Sequence, residues 1–154
     1  MKRTDSPEAQ LEGFLAKYTP EIAGLAKAAL VKMRKRLPGA VEMVYDNYNA
    51  LVIGFSPGER PSEAIFSIAL YPRWVNLFFL QARGLRDPEK RLKGSGNRVR
   101  SIMLESAGTL DDPVVVALME EAMERAIVPI DPRGKRRLLI RAIAPKQRPR
   151  RPAK

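Results

Sequence analysis

Two short apolar runs near the middle of the chain predict neighbouring β-strands. Ile65 to Leu70 and Val75 to Leu80 are rich in Ile, Val and Phe, and the segment between them contains Pro72. Runs this short, separated by proline, are typical of strands joined by a tight connection. Val41 to Tyr45 and Leu51 to Phe55 precede them on either side of a polar turn. Joined by the shortest connections, the four segments predict an antiparallel meander.

Helical spacing of apolar residues predicts three helices. Ser6-Pro7 starts the first, which ends near Tyr18, and Thr19-Pro20 starts a longer one that Pro38 ends. A Ser or Thr cap followed by Pro is typical of a helix N-terminus. The last helix follows Pro113. The residues with helical spacing are Ile22, Leu25, Ala26, Ala29, Leu30, Met33 and Leu37 in the second helix, and Val115, Leu118, Met119, Ala122, Met123 and Ala126 in the last.

The remaining segments complete an α+β fold. Val99 to Glu105 predicts a fifth strand, Arg137 to Ile143 alternates like a sixth, and Asp87 to Leu92 predicts one helical turn. We therefore expect an antiparallel sheet of five or six strands with helices packed mainly on one face. Residues 1–144 would form a single domain, in which residues 1–6 are disordered.

The net charge of +11 on 154 residues belongs to one end of the chain. Residues 133–154 carry ten Lys or Arg and no acid, which leaves 18 basic and 17 acidic residues before them. The last ten residues, 145–154, contain no large apolar side chain, so we expect a mobile tail. Its cations suit phosphates, and non-specific association with nucleic acid or the ribosome is one functional hypothesis. The candidate residues for it are Arg136, Arg137, Arg148, Arg150 and Arg151.

Several chemistries have no residues to support them. The chain contains no histidine and no cysteine, so the common zinc and copper sites, disulfides and the Ser-His-Asp and Cys-His arrangements are excluded. We predict no catalytic residue, no cofactor and no metal site, and an enzyme is the least expected class. No stretch is long and apolar enough for a transmembrane helix, and no secretory signal is visible. A cytoplasmic location is the expectation.

The segment Lys93-Gly94-Ser95-Gly96-Asn97-Arg98, with Arg100 beyond it, is the strongest candidate for ligand binding. Two glycines allow backbone amides to turn inward around an anion, and the neighbouring Lys and Arg supply positive charge. The alternative is a flexible turn before a strand, with solvated cations. The sequence leaves both interpretations open.

A second candidate combines aromatic and polar residues. Tyr45, Asn47 and Tyr48 lie at a turn, where they would either rim a small-molecule pocket or serve as ordinary turn and strand-end residues. Trp74 would either anchor a ligand or partner subunit or cap the core. The leading hypothesis is therefore a non-enzymatic accessory protein, a monomer or homodimer, that binds an anion or small metabolite beside the two turns.

Carboxylates on the last helix support a third hypothesis. Asp111, Asp112, Glu120, Glu121 and Glu124 form an acidic face. Such a face suits a hard cation such as ferrous iron, or is a solvated helix surface.

The order of these features resembles the YdhG-like family of small bacterial domains of unknown function. The resemblance covers residues 15–143 and rests on the helix Glu21 to Pro38, the YDNYNAL turn, the apolar central pair and LKGSGNRVRSIML. It implies an α+β fold and a cytoplasmic location. Some members are described as frataxin-like iron chaperones, so iron handling is a further implied function.

Overall fold

A computed structural model describes residues 6 to 153, and in that range the chain forms three α-helices and one six-stranded sheet. Disorder was predicted for residues 1–6, of which residues 1–5 lie outside this range and Ser6 lies inside it as the cap of the first helix. Two short 3-10 helices lie at Pro61–Glu63 and Ala107–Asp111. The main elements are α1 (Pro7–Leu15), α2 (Pro20–Arg36), β1 (Val41–Asp46), β2 (Leu51–Ser56), β3 (Phe66–Leu70), β4 (Val75–Phe79), β5 (Arg100–Leu104), α3 (Pro113–Glu124) and β6 (Arg137–Ile143).

Each α-helix begins at a side-chain cap followed by proline. Ser6 Oγ accepts a hydrogen bond from the Ala9 amide at 3.1 Å, and Thr19 Oγ1 accepts one from Ile22 at 3.3 Å. Asp112 caps α3 in the same way. These caps satisfy amides that have no acceptor inside the helix, and they confirm the predicted starts. None of the helices in residues 6 to 153 has the length and apolar character needed to cross a bilayer.

The predicted meander is confirmed, because β1 to β5 are each antiparallel to the next strand. Its register aligns the apolar positions of neighbouring strands. Ile53 of β2 lies opposite Ile68 of β3, which lies opposite Leu77 of β4. Side chains alternate between the two faces of a strand, so every second residue of these strands shares one face. The buried side chains on that face are Leu51, Ile53, Phe55, Phe66, Ile68, Leu70, Val75, Leu77 and Phe79.

The helices cover this apolar face. Buried residues of all three helices belong to the same core cluster as the inward side chains of the strands. Helix α2 lies against β3 and β4, whereas α1 lies against β6. The α+β class and the placement of the helices follow the prediction from sequence.

Strand β6 corrects the prediction of a fully antiparallel sheet. It pairs with β1 at the edge of the sheet and runs parallel to it, with Arg137 opposite Val41. Gly39, two residues before β1, packs against the segment 131–134 that leads into β6, and a Cβ at Gly39 would collide with the Asp131 carbonyl oxygen. This contact places the connection into β6 at the end of the sheet where β1 starts, in agreement with the parallel direction of the two strands.

The predicted helical turn from Asp87 to Leu92 is also wrong. The segment contains a single hydrogen-bonded turn, in which the Lys90 amide donates to the Asp87 carbonyl. The Asp87 carboxylate accepts hydrogen bonds from the amides of Arg91 and Leu92, both at 2.8 Å. An aspartate side chain that binds amides four and five residues ahead replaces the backbone acceptors that a helix would use.

A buried carboxylate joins α2, β1 and the segment that enters β6. Glu42 is 1% exposed, and Arg34 of α2 donates to both of its oxygens, at 2.9 to 3.1 Å. Arg136 donates to the same carboxylate at 2.8 Å. A buried charge requires such partners, so Glu42 links three segments that are far apart in sequence.

We predict that Gly39→Ala destabilises the protein by at least about 2 kcal/mol. Gly39 has a φ of +83°, which disfavours any side chain, and the new Cβ would collide with the Asp131 carbonyl. Urea unfolding followed by circular dichroism measures the change. Gly24→Ala is the matched control, because Gly24 lies inside α2 with open space at the Cβ position. We expect it to stabilise the protein by about 0.5–1 kcal/mol, and similar losses in both variants would contradict the argument.

Candidate functional site

The turn at residues 93–98 projects from the open edge of the sheet before β5. Lys93 exchanges two backbone hydrogen bonds with Ser101, at 2.8 and 2.9 Å, which fixes the start of the turn. Gly94 has a φ of +122°, a conformation that favours glycine. Gly96 does not have a positive φ, and its carbonyl accepts a hydrogen bond from Arg100 Nε. Of the two glycines expected to turn backbone amides inward around an anion, Gly94 therefore adopts a left-handed conformation and Gly96 does not.

The turn leaves its backbone amides available. Within residues 6 to 153, none of the amides from 94 to 98 donates to a protein acceptor. Residues 93–99 are exposed, so these amides face solvent. The turn can therefore donate hydrogen bonds to a ligand.

Three arginines converge beside this turn in a pocket of about 590 Å³. We call it the arginine pocket, and its lining residues are Gln81, Arg83, Arg98, Arg125 and Ile127. A backbone hydrogen bond of 2.7 Å from Ala82 to the Arg98 carbonyl holds the segment after β4 against the turn before β5. This bond brings Arg83 and Arg98, which are 15 residues apart in sequence, to the same pocket.

A glycine in the left-handed region makes room for the third guanidinium group. Gly84 has a φ of +82°, and a Cβ there would lie 2.3 Å from Arg125 Nη2. Arg125 follows α3, and its Nη2 donates weakly to the Arg83 carbonyl at 3.5 Å. Two hydrogen bonds hold the side chain of Gln81, which also lines the pocket. Its Oε1 accepts from the Ile127 amide at 3.0 Å, and its Nε2 donates to the Ala64 carbonyl at 3.0 Å.

The arginine pocket carries positive charge with little local compensation. Within the part of the chain that the structure describes, neither Arg83 nor Arg98 forms an ion pair. Arg125 lies 4.0 Å from Glu121, which Arg86 also approaches at 3.5 Å. No carboxylate of the described residues lines the pocket. Guanidinium groups arranged in this way favour an anion.

A second pocket of about 330 Å³ shares the lining residue Arg83 with the first. We call it the side pocket. Its polar groups come from Asp87, Asn97 and Arg100, and its apolar lining comes mainly from Leu85 and Leu92. Asn97, Arg98 and Arg100 of the predicted site thus each line one of the two pockets.

The turn that carries Tyr45, Asn47 and Tyr48, which we call the tyrosine turn, lies far from this site. It joins the Asp46 end of β1 to β2, whereas the turn at residues 93–98 enters β5 at the opposite end of the strands. Strand spacing and rise place the two turns roughly 20 Å apart. A single ligand beside both turns is therefore incompatible with the fold.

Trp74 lies apart from both the tyrosine turn and the arginine pocket. Its indole is 43% exposed and lies 5.7 Å from the Tyr71 ring, between centroids. It lines a pocket of about 530 Å³ that also contacts Met103 and Glu105. The predicted ligand-binding residues thus divide among different regions of the surface.

The C-terminal segment occupies the tyrosine turn. Arg150 is 6% exposed and donates to Asp46 Oδ1 at 2.8 Å and to the Asn47 carbonyl at 2.6 Å. Its guanidinium group lies 5.7 Å from the centre of the Tyr18 ring. Arg148 lies over the ring of Tyr48, and its amide donates to the Tyr48 carbonyl. The segment predicted to be a mobile tail lies against the body, because its arginines satisfy a buried carboxylate and the turn carbonyls.

Asp46 is the centre of this contact. Its carboxylate is fully buried, and Lys17 donates to Oδ2 at 2.7 Å. Burial alone would raise the pKa of Asp46, but hydrogen bonds and nearby positive charge outweigh this and hold the pKa below its ordinary value. Gln147 completes the cluster by donating to the Asp46 carbonyl and accepting from Lys17.

The arginines proposed to bind nucleic acid are engaged within the protein. Arg136 pairs with Glu42 and Arg137 pairs with Glu59. Arg151 donates to the carbonyls of Ala16 and Lys17, beyond the end of α1. Together with Arg148 and Arg150, these contacts direct the five side chains towards the protein rather than towards one outward surface.

The acidic residues proposed to bind iron are also divided. Asp111 pairs with Lys32 and Arg36, and Asp112 pairs with Arg91 and caps α3. Within residues 6 to 153, no three carboxylates converge as a metal-ligand group. The acidic face therefore consists of separate ion pairs and solvated side chains.

Sequence reasoning missed Arg83 and Arg125. Each is an ordinary charged residue in a polar segment, and neither belongs to a motif. The sole local signal was Gly84 immediately after Arg83, which the structure uses for a positive φ.

Comparison of the chain with family models, with curated proteins and with solved structures gives no match. The comparisons therefore do not identify the YdhG-like family, and that resemblance stays a prediction.

We predict that Asp46→Asn lowers the free energy of unfolding by about 3 kcal/mol at neutral pH, because it leaves Arg150 buried without its countercharge. The folded-state pKa of Asp46 is depressed, so its contribution is present above the unfolded pKa of about 4 and is lost as the pH falls towards the folded value. Urea unfolding of both proteins across this range measures the difference. A difference that stays constant as the pH falls would show that ionisation of Asp46 does not contribute.

Proposed function

We propose that this chain is a non-enzymatic binding protein that holds a small anion in the arginine pocket. The observation that carries the proposal is the convergence of Arg83, Arg98 and Arg125 on one pocket with no carboxylate in its described lining. Phosphate, sulfate and carboxylate groups all match the donor geometry of guanidinium.

Electrostatics explains why such a pocket favours occupation. Three like charges that share a concave surface repel one another, and a bound anion adds attractive interactions that offset this repulsion. The pocket also lies on a chain with a net charge of +11, whose field attracts anions from solution. Arg98, which lines the pocket, belongs to the turn whose amides at residues 94–98 have no protein acceptor within the described residues.

The exposure of the pocket to solvent determines how tightly we expect it to bind an anion. Arg125 is 51% exposed in its side chain, and Arg83 and Arg98 are exposed as well. Charge interactions at solvent-exposed sites are weakened by water and salt. We therefore expect reversible, salt-sensitive binding of a metabolite rather than permanent retention of a cofactor.

We predict that inorganic phosphate binds the full chain at a single site and that Arg83→Ala weakens this binding about tenfold, because it removes charge-assisted hydrogen bonds. Isothermal titration calorimetry at low ionic strength measures the affinity. Thermal unfolding provides a second readout, since phosphate at ten times its Kd stabilises a one-site protein by about 1.4 kcal/mol. Arg98→Ala and Arg125→Ala should act in the same direction.

Arg141→Ala is the matched control. It removes the same charge from β6, where Arg141 forms no ion pair within the described residues. We expect its phosphate affinity to stay within about twofold of the unmodified chain. If Arg83→Ala and Arg141→Ala weaken binding equally, the net charge rather than the pocket attracts phosphate. If phosphate does not bind at all, the proposal is wrong.

A further inference from the structure

The two pockets that share Arg83 differ in the charge of their lining residues. The arginine pocket contains three guanidinium groups and no carboxylate in its described lining. In the side pocket, Asp87 offsets the charge of Arg100, and Asn97 is neutral. When the shared Arg83 is counted, two arginines and one aspartate line the side pocket, so it is less cationic than the arginine pocket, which three arginines line without an acid.

This contrast indicates which part of a ligand each pocket suits. A second anionic group in the side pocket would lie near the Asp87 carboxylate, which repels it. Hydroxyl groups meet no such penalty, because they donate to carboxylate or amide oxygens and accept from amide or guanidinium nitrogens. Both Asp87 oxygens already accept a backbone amide, and each keeps a further lone pair for a ligand.

The apolar lining of the side pocket agrees with a compact polyhydroxylated ligand. Leu85 and Leu92 line it and pack against the core, so they provide a fixed apolar surface for C–H groups. Its volume of about 330 Å³ lies near the lower end of small-molecule pockets, which suits a single ring. Asn97 has no side-chain hydrogen bond within the described residues, so its amide is available to a ligand.

We infer that the site takes a phosphorylated sugar, with the phosphate in the arginine pocket and the hydroxylated ring in the side pocket. The inference rests on the proposed anion-binding function and adds the chemical class of the ligand. Arg83, which lines both pockets, contacts the phosphate, whereas Asn97 recognises the sugar.

Calorimetric titration of the full chain with four probes tests this inference. The probes are inorganic phosphate, pyrophosphate, ribose and ribose 5-phosphate. We expect ribose 5-phosphate to bind about tenfold more tightly than phosphate, because the ring adds hydrogen bonds to groups that are already in place. Pyrophosphate should gain less than ribose 5-phosphate, and ribose alone should bind more weakly than phosphate.

Two asparagine variants test which residue provides the additional affinity for ribose 5-phosphate. Asn97→Ala should remove most of the advantage of ribose 5-phosphate and leave phosphate affinity unchanged, whereas Arg83→Ala should weaken both ligands. Asn49→Ala is the matched control, because Asn49 is exposed at the tyrosine turn on the opposite end of the sheet. It should change neither affinity.

The outcomes separate this inference from the proposed function. Equal affinities for phosphate and ribose 5-phosphate would overturn the inference and leave anion binding intact. A gain for pyrophosphate as large as that for ribose 5-phosphate would show that the side pocket takes a second anion, which also overturns it. Absence of phosphate binding would overturn the proposed function itself.

Discussion

The register of β2, β3 and β4 is the constraint on which the rest of the structure depends. Their apolar side chains lie opposite one another on a single face, and a slip of one residue would turn each strand's buried set towards solvent. The helices must cover that face, since its apolar side chains belong to the core cluster. The register also fixes where the chain leaves the sheet: it departs after Phe79 and returns at Arg100, which lies directly opposite. The connection that closes this gap provides most of the lining of the side pocket and, together with Arg125 and Ile127 after α3, lines the arginine pocket.

Electrostatic interactions connect the strongly basic end of the chain to its nearly neutral body. Glu42 and Asp46 lie at the two ends of β1, and both are buried. Each receives one cation from the helical region, Arg34 or Lys17, and another from residues 133–153. The second set of cations, Arg136 and Arg150, thus neutralises charges that burial would otherwise make costly. Two of the basic residues that suggest a nucleic-acid-binding tail, Arg136 and Arg150, therefore form ion pairs with buried carboxylates of the protein.

The elements that could be predicted from sequence are those determined over a few residues. Proline after Ser6 and Thr19 marks helix starts, and the short apolar runs at residues 65–70 and 75–80 mark strands, because these signals act locally. The direction of β6 could not be predicted, since the contact that agrees with it, between Gly39 and the Asp131 carbonyl, joins residues more than 90 positions apart.

The same distinction explains the candidate site. Arg98 and Arg100 belong to a recognisable glycine-containing turn, so the sequence indicated them. Arg83 and Arg125 reach the pocket through tertiary contacts alone, and no local pattern distinguishes them from other surface arginines. Asp46 looked like an ordinary turn residue because its partner Arg150 lies 104 positions away. A charged residue within an otherwise apolar strand, such as Glu42, was the available signal that a distant countercharge is required.

The pairing of β6 with β1 also has a consequence for biosynthesis. While the ribosome is still translating residues 80–136, β1 is an unprotected sheet edge, and the buried carboxylates beside it lack half of their cations. The native sheet can be completed only after residue 143 has emerged, and the nascent chain is most exposed to aggregation until then.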